Sequence, residues 1–512
     1  MALGTSDKAI SDPHGVALTD GARALTWSEV DVALNRAVHA LLDARAGRHQ
    51  RIAVYARNSI EVVLVHSAAV RAGVSSVPVN AALTADELVY ILRDSGAGTL
   101  FCGPETIEVA LRAAAETGVP VVAWRSPDWS SALEWDRWLR QGSPEEPPGD
   151  QAPAMHLMYT SGTTGRPKGT DLIFRDPGAS VAEYLAKHAS QLPAAAAGPH
   201  VVIGPLHHTG PLVGLRYLSA GQTVVVLPRF EANAVLEAIE RWRAASTLMV
   251  PTHFMRLLAL PAAVRSRHDV SSVKLIYHTG AACPAAIKRA MIEWFGPVLV
   301  EVYGASESGT ICQISSEEWL ERPGSVGRPL PNFEAFALDE ADNRLPAGVE
   351  GRLFFHDRSM RGIRYHNDAK KSAAAHVAPG VFTIGEIGYV DDDGYVFITD
   401  RSSDMVVSGG VNIYPAEAEA VLSLHPGVAD VACIGVPNAD MGEELKALVQ
   451  PVTPQSPPPP DELIGYCRER LAAYKCPRSL EVVDDLGRSA MGKLDKRRLR
   501  APYWPTGRTI GG

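Results

Sequence analysis

Hydrophobic and polar positions change period repeatedly along the chain, and each change predicts an element. "RIAVYA", beginning at Arg51, is a run of small and β-branched apolar residues that reads as a strand. "SIEVVLVHSAAVRAG" follows from Ser59 with apolar residues at helical spacing, and "SSVPVN" from Ser75 returns to strand texture. "ADELVYILRDSG" predicts an amphipathic helix that stops at Gly96, and "TLFCG" resumes a strand. The alternation recurs in "HVVIGPL", "QTVVVLP", "STLMVP", "VKLIYHTG" and "VLVEVYG". Strands that alternate with helices predict layered α/β structure with largely parallel sheets.

After residue 350 the texture changes. "GRLFFHD", "TIGEIGYVDDDGYVFITDR" and "DMVVSGG" are short strands parted by turn signals such as Asp393-Gly394. From about Asp404 a smaller unit begins. "AEAEAVLSLHP" reads as a helix and "VADVACIGVP" as a strand, while "TPQSPPPP" must be a loop because proline lacks the N–H that helix and sheet require. A chain of 512 residues exceeds one ordinary domain. The expected division is a large N-terminal part, 1–402, and a small C-terminal α+β part, 403–512.

Composition narrows the function classes. The 49 basic and 58 acidic residues give a formal net charge of -9, so no bulk basic excess awaits nucleic acid. The compact basic run "KRRLR", Lys496 to Arg500, reads as a solvated face of a terminal helix. The six cysteines are scattered, with no CxxC pair and no histidine at zinc-ligand spacing. That points to a reducing compartment and no structural metal. "MALGTSDKAISDPHG" lacks a basic start followed by an apolar core, and no apolar run is long enough to span a bilayer. A soluble cytoplasmic protein without integral membrane association is expected.

"YTSGTTGRPKGT", Tyr159 to Thr170, concentrates the chemistry. A Walker loop needs glycine immediately before its lysine, whereas Pro167 precedes Lys168 here and Gly169 follows it. A GxGxxG dinucleotide turn fails as well. Yet Gly162, Gly165 and Gly169 permit tight turns that aim backbone N–H groups at one point. Ser161, Thr163 and Thr164 add hydroxyl donors, and Lys168 adds a cation. Together they predict a polyphosphate cradle; a plain surface loop needs no such order.

Further segments follow in sequence: "HTGAACP" from His278, "YGASES" from Tyr303, "GRPLPN", "GRLFF", "TIGEIGYVDDDGYVFITDR", "SGGVNIYPAEAEAVL" and "MGKLDKR". With the loop, this ordered set over roughly residues 20 to 500 closely resembles the adenylate-forming enzymes: acyl-CoA synthetases, non-ribosomal peptide adenylation domains and luciferases. The resemblance implies that family's α/β fold. A large N-terminal domain of layered α/β subdomains, with a β-barrel-like subdomain, would carry a small mobile α+β C-terminal domain. It also implies ATP, Mg2+ and coenzyme A, with a small-molecule carboxylic acid as the other substrate. A homodimer is left open.

The family's functional residues carry over one by one. Thr160, Ser161, Gly162, Thr163, Thr164, Gly165 and Lys168 would cradle the phosphates. Gly280, Ala281 and Ala282 would flank the adenine, and Tyr303, Gly304, Ala305 and Ser306 would continue the nucleotide site. Glu307 and Thr163 would bind Mg2+, a hard cation that prefers oxygen ligands. Glu386 and Arg401 would hold the ribose hydroxyls, with Ile398 beside them. Position 386 is usually Asp in the family; Glu keeps both acceptor oxygens on a stem one methylene longer. Lys493 would reach the carboxylate and the α-phosphate, where a placed ammonium stabilises the gathering negative charge. Lys493, Lys168 and Glu307 are the expected catalytic set.

His207, His208, Gly210, Gly280 and Tyr303 would line the acyl pocket. Amino-acid-activating relatives typically carry Asp at position 208, so His208 disfavours an amino-acid substrate. Gly210, Gly214 and Gly280 would make room for bulk. Ser403 would be the hinge, and Ser408, Gly409 and Gly410 would flank the pantetheine tunnel. Two competing motifs fail. GxSxG would need glycine where Ser308 stands, and an acyltransferase HHxxxD would need Asp where Leu212 stands.

The implied activity is an acid–thiol ligase of the AMP-forming acyl-CoA synthetase type. The acid is expected to be hydrophobic (fatty, aromatic, or bulky alicyclic or polycyclic), because "PLHHTGPLVGL" and "YHTGAAC" are mostly small or apolar. Coenzyme A is the expected thiol, since the chain ends soon after Lys493 without room for a fused carrier domain. Two alternatives stand. One is a stand-alone adenylation enzyme that loads a carrier-protein thiol. The other is a degenerate acyl- or nucleotide-binding relative, suggested by Glu386 and Ser403.

Overall fold

Local signals close elements where the periodicity puts them. Thr84 accepts from the Glu87 N–H while Glu87 reaches back to Thr84, and the helix Ala85–Ser95 ends at Gly96 in the left-handed region, φ 64°. The helix Ile60–Arg71 is apolar on nearly every side and is buried nearly all round. The computed structural model describes residues 4–45, 51–126, 131–160, 168–172, 178, 180–281, 283–401, 404–408, 411–438, 441–471, 473–489 and 492–504.

One sheet is parallel, in the order Ser75–Val79, Arg51–Tyr55, Leu100–Cys102, Val121–Ala123, Leu133–Glu134. A second begins with parallel strands: Val16–Thr19, Val224–Val226, His200–Val202, Ser246–Met249, Leu275–His278 and Leu299–Ala305. These strands are rich in Val, Leu and Ile and largely buried, as sheets covered on both faces require. At Leu299–Ala305 the chain reverses, and Gly309–Ser315 returns antiparallel. The same sheet path continues through antiparallel strands Ser325–Pro329, Val396–Arg401, Glu386–Val390 and Gly351–Asp357. The parallel α/β layers thus run directly into the antiparallel subdomain.

A separate sheet forms the small C-terminal domain. Val411–Ile413, Val406–Ser408, Gly442–Pro451 and Val428–Asn438 are antiparallel neighbours, and Ser479–Val482 adds parallel to Gly442–Pro451. Helices Pro415–Leu422 and Pro460–Arg468 bury Ala418, Leu422, Leu463 and Cys467 against it. The architecture is mixed α/β with a large N-terminal and a small C-terminal domain, as expected. Among the described residues no helix is long and apolar enough to cross a membrane.

One expectation is corrected. "KRRLR" is a helix, Lys496–Arg500, but its face is tethered. Lys496 Nζ lies 2.8 Å from Glu419 Oε1, and Arg500 Nη1 lies 3.2 Å from Asp404 Oδ1. Arg498 Nη2 donates to the Leu486 carbonyl at 3.1 Å. The basic residues hold the chain end onto the domain, because acidic partners distant in sequence face them in space.

Candidate active site

The carboxyl ends of parallel strands hold the expected acyl and adenine residues, the usual ligand position in open α/β sheets. At the phosphate end, strand Lys168–Asp171 pairs antiparallel with Leu157–Thr160, Lys168 opposite Thr160. Its other edge takes Arg364–Tyr365, with Tyr365 opposite Thr170. Asp171 ties this join: Arg364 Nε donates to Oδ2 at 3.0 Å, and His366 Nδ1 lies 3.3 Å from Oδ1. The helix Ala369–Ala374 follows, capped by Asp368, whose side chain accepts from the Lys371 N–H at 2.9 Å. The Lys371 ammonium lies 3.5 Å from the centre of the Tyr365 ring. It lies close to Lys168, a second cation, and faces Glu307 and Asp368. Burial first, and Lys168 next, push it down to about 8, while Glu307 and Asp368 pull the other way.

Glu307 comes from the turn Ser306–Ser308, where Ser308 Oγ accepts from the Ala305 N–H at 3.1 Å. Among the described residues no cluster of three or more His, Cys, Asp or Glu could hold a metal ion. A single carboxylate fits Mg2+ nonetheless, because that ion keeps several waters and takes phosphate oxygens as its other ligands. Glu307 is the described group that would hold it. Ser161, Gly162, Thr163, Thr164 and Gly165 lie outside the described residues. So do Ala282, Ser403, Gly409, Gly410 and the side chains of Thr160 and Arg401.

The nucleotide residues fall on two neighbouring strand ends and on one antiparallel pair of the following subdomain. Gly280 follows strand Leu275–His278 at φ 93°, a conformation that favours glycine, and Ala281 comes next. Tyr303, Gly304 and Ala305 end strand Leu299–Ala305. A Cβ at Gly304 would stand 1.9 Å from the Gly309 carbonyl oxygen, so the hairpin admits only glycine there. Thr209 Oγ1 donates to Ser306 Oγ at 3.0 Å and ties the acyl end to this turn. On the antiparallel subdomain, Glu386 is the direct cross-strand partner of Arg401, and Ile398 sits opposite Gly388 on the same ladder. Glu386 is buried.

At the acyl end, His208 precedes the short helix Thr209–Val213 in extended conformation. The rings of His207 and His208 lie 4.4 Å apart. Burial, with His208 second, pushes His207 down to about 3. Burial, with Lys493 second, pushes His208 down to about 4. Both imidazoles are therefore neutral near pH 7, and His207 Nε2 is buried without a hydrogen-bond partner among the described residues. The expectation that small residues make room for bulk is corrected at two positions. A Cβ on Gly210 would meet Leu248 at 3.2 Å, and one on Gly214 would meet His200 Nε2 at 2.7 Å. Those glycines give their space to protein neighbours. The open volume lies beside them instead. A cavity of about 60 Å³ is lined by Val70, Met158, Leu172, Leu212, Thr209 and His156, among others. Leu172 directly follows the strand Lys168–Asp171.

Lys493 belongs to the C-terminal domain and acts electrostatically on His208. Two features hold its loop. Arg488 donates to Asp430 Oδ1 at 2.7 Å and to the Gly492 carbonyl at 2.8 Å. Gly492, at φ 71°, packs where a Cβ would stand 2.4 Å from Thr252 Oγ1, on the helix Pro251–Leu258. Ser408 is buried in strand Val406–Ser408. Sequence reading missed Lys371, Tyr365, Arg488 and Thr252. No short stretch marks any of the four; the Asp368 cap starts the helix by accepting from the Lys371 backbone N–H and does not single its side chain out from Lys370.

Comparison with known proteins gives these relationships. The pattern of the AMP-binding enzyme family matches residues 6–362, and that of the AMP-binding enzyme C-terminal domain matches residues 417–493. The chain is 30% identical over 514 residues to the fatty acid–[acyl-carrier-protein] ligase ScoC of Streptomyces coeruleorubidus, covering 98% of this chain and 96% of that one. It is 32% identical over 501 residues to feruloyl-CoA synthase of an Amycolatopsis species, covering 97% of each. Among solved structures, ATP-bound MatB from Rhodopseudomonas palustris aligns with a TM-score of 0.80 at 28% identity, over 98% of this chain and 99% of that one.

Proposed function

The chain belongs to the AMP-binding enzyme family, and on that premise we propose that it is an ATP-dependent acyl-CoA synthetase acting on a hydrophobic carboxylic acid. In the first half-reaction a carboxylate oxygen attacks the α-phosphorus of ATP. The bond to the β-phosphate breaks, giving acyl-adenylate and pyrophosphate. Lys168 binds the phosphates, Glu386 and Arg401 orient the ribose, and the segment from Gly280 lines the adenine. Glu307 would hold Mg2+, which when bound neutralises phosphate charge. Lys493 stabilises the charge that gathers between acid and α-phosphate.

In the second half-reaction a thiol attacks the acyl carbonyl, giving a thioester and AMP. The C-terminal domain, 403–512, would turn about Ser403 to withdraw Lys493 and present Ser408, Gly409 and Gly410 to the pantetheine arm. The observation that carries this reading is Lys493 acting on His208 at the acyl end while Lys168 and Glu307 stand together at the phosphate end. The aliphatic part of the cavity wall (Val70, Met158, Leu172, Leu185, Leu212 and Leu215) favours a hydrophobic acyl body, with Arg216 and three histidines also on its lining. The test is an acid panel with coenzyme A and MgATP, read by product mass. Acid-dependent ATP–pyrophosphate exchange is expected; its absence across a broad panel, with ATP still bound, overturns the reading in favour of a binding protein.

A second reading rests on the similarity to ScoC, whose acceptor is an acyl-carrier protein. Offering a phosphopantetheinylated carrier beside coenzyme A, and comparing the two thioesters, separates the alternatives.

A further inference from the structure

Two lysines meet at the phosphate end from different parts of the chain. Lys168 begins the strand Lys168–Asp171, and Lys371 lies in the helix Ala369–Ala374. A lysine ammonium has three donors and no acceptor, so close approach of two of them is repulsive. The fold imposes that approach. Arg364–Tyr365 is hydrogen-bonded along the strand that carries Lys168, the Asp368 cap starts the helix, and Tyr365 holds the Lys371 ammonium over its ring at 3.5 Å. Glu307 and Asp368 face the pair, and the Asp368 side chain is already engaged as a cap. A polyanion entering between the two ammonium groups would give each an acceptor and remove the repulsion.

We propose that Lys371 is a second phosphate-binding cation, which with Lys168 clamps the β- and γ-phosphates of ATP and holds the departing pyrophosphate. The inference rests on the phosphate-end assignment made above. Its ligand class is a pyrophosphate or the terminal phosphates of a nucleoside triphosphate. A nucleoside monophosphate, which lacks those groups, does not reach it.

Calorimetric titration of the full chain with magnesium pyrophosphate alone, and separately with AMP, tests this. A charge-assisted hydrogen bond contributes enough that Lys371→Ala should weaken pyrophosphate about 10- to 100-fold. Lys371→Arg should stay within about threefold, since the cation remains. AMP affinity should be the same in all three proteins, and exchange assays should show KM for pyrophosphate rising in Lys371→Ala. Unchanged pyrophosphate affinity in Lys371→Ala overturns the inference alone. Equal losses for AMP and pyrophosphate also overturn it, because they mark a structural role. A wild-type chain that neither binds nor exchanges pyrophosphate overturns the site reading and this inference together.

Discussion

The two ends of the proposed reaction centre treat charge in opposite ways. At the phosphate end the Lys371 ammonium sits above Tyr365, with Lys168 and Glu307 close to it. At the acyl end two histidines are stripped of charge by burial, His207 to about 3 and His208 to about 4. The difference follows from the surroundings. Carboxylates face Lys371, whereas the histidines are buried beside each other with Lys493 acting on His208. A titratable residue near a site is therefore no guide to where charge acts there. At the acyl end the cation is brought in from outside, on the loop of Lys493.

The sharpest way to break this contrast is to remove that imported cation. Lys493→Ala should lower acyl-adenylate formation about 10²- to 10³-fold, the usual loss for one transition-state donor. Thioester formation from preformed acyl-adenylate should be unaffected. Single-turnover measurement of each half-reaction checks it, and equal losses in both would defeat the division of labour.

A smaller effect is expected from disturbing how the loop docks. Gly492→Ala meets Thr252 and must adopt a left-handed backbone that costs about 1–2 kcal/mol for other residues. Adenylation should fall roughly tenfold, and Thr252→Ala in the same chain should recover part of the loss. No recovery would mean that Thr252 does not meet this loop.

The contrast also predicts opposite pH limbs of stability. Unfolded histidine takes a proton near pH 6.5, but His207 and His208 do so only near 3 and 4 when folded. The unfolded chain then binds more protons, so stability falls as pH drops from about 6.5 towards 4. Lys371 works at the other extreme. Its folded value of about 8 lies below the ordinary 10.5, so the ligand-free protein gains stability from it as pH rises from 8 to 10.5. Burial first, then Lys168, set that value against Glu307 and Asp368; the Tyr365 ring also faces it. Thermal midpoints against pH should show a shallower acid fall in His208→Gln, and in Lys371→Met the loss of a rise between pH 8 and 10.5, so that the midpoint there falls more steeply than in wild type. Slopes identical to wild type would remove the contrast.

The smallest change is expected at Glu386→Asp, which restores the residue common in the family. Glu386 is buried opposite Arg401, so a shortened carboxylate stays on the same ladder. The KM for ATP should hold within about threefold or fall. A large rise would mean that the ribose site is built around the longer side chain.

How much was legible depends on the range of the interaction. The helix Ala85–Ser95 could be read from "TADELVYILRDSG" because its caps and periodicity are local. Glu386 and Arg401 are named together by the resemblance to the adenylate-forming enzymes, and the antiparallel ladder sets them directly opposite each other. Lys371 could not be read in either way. "NDAKKSAAA" offers two adjacent lysines, and the distinction between them needs the join of Arg364 to Asp171, 193 residues apart. "KRRLR" was misread for the same reason, since Asp404 and Glu419 lie far upstream. Gly214 looked like vacant space until His200, from a neighbouring strand, filled it.

The sequence by itself determined the family, the α/β alternation, the change to antiparallel texture after residue 350 and the order of the nucleotide motifs. These depend on composition and spacing over a few residues, where backbone chemistry and periodicity act directly. The tertiary structure alone decided which groups come near each other: Lys168 near Lys371, Lys493 close enough to His208 to act on it, and Gly492 against Thr252. It also decided which of them keep their charge. Burial and through-space contact set both, and neither is a property of any short stretch of chain.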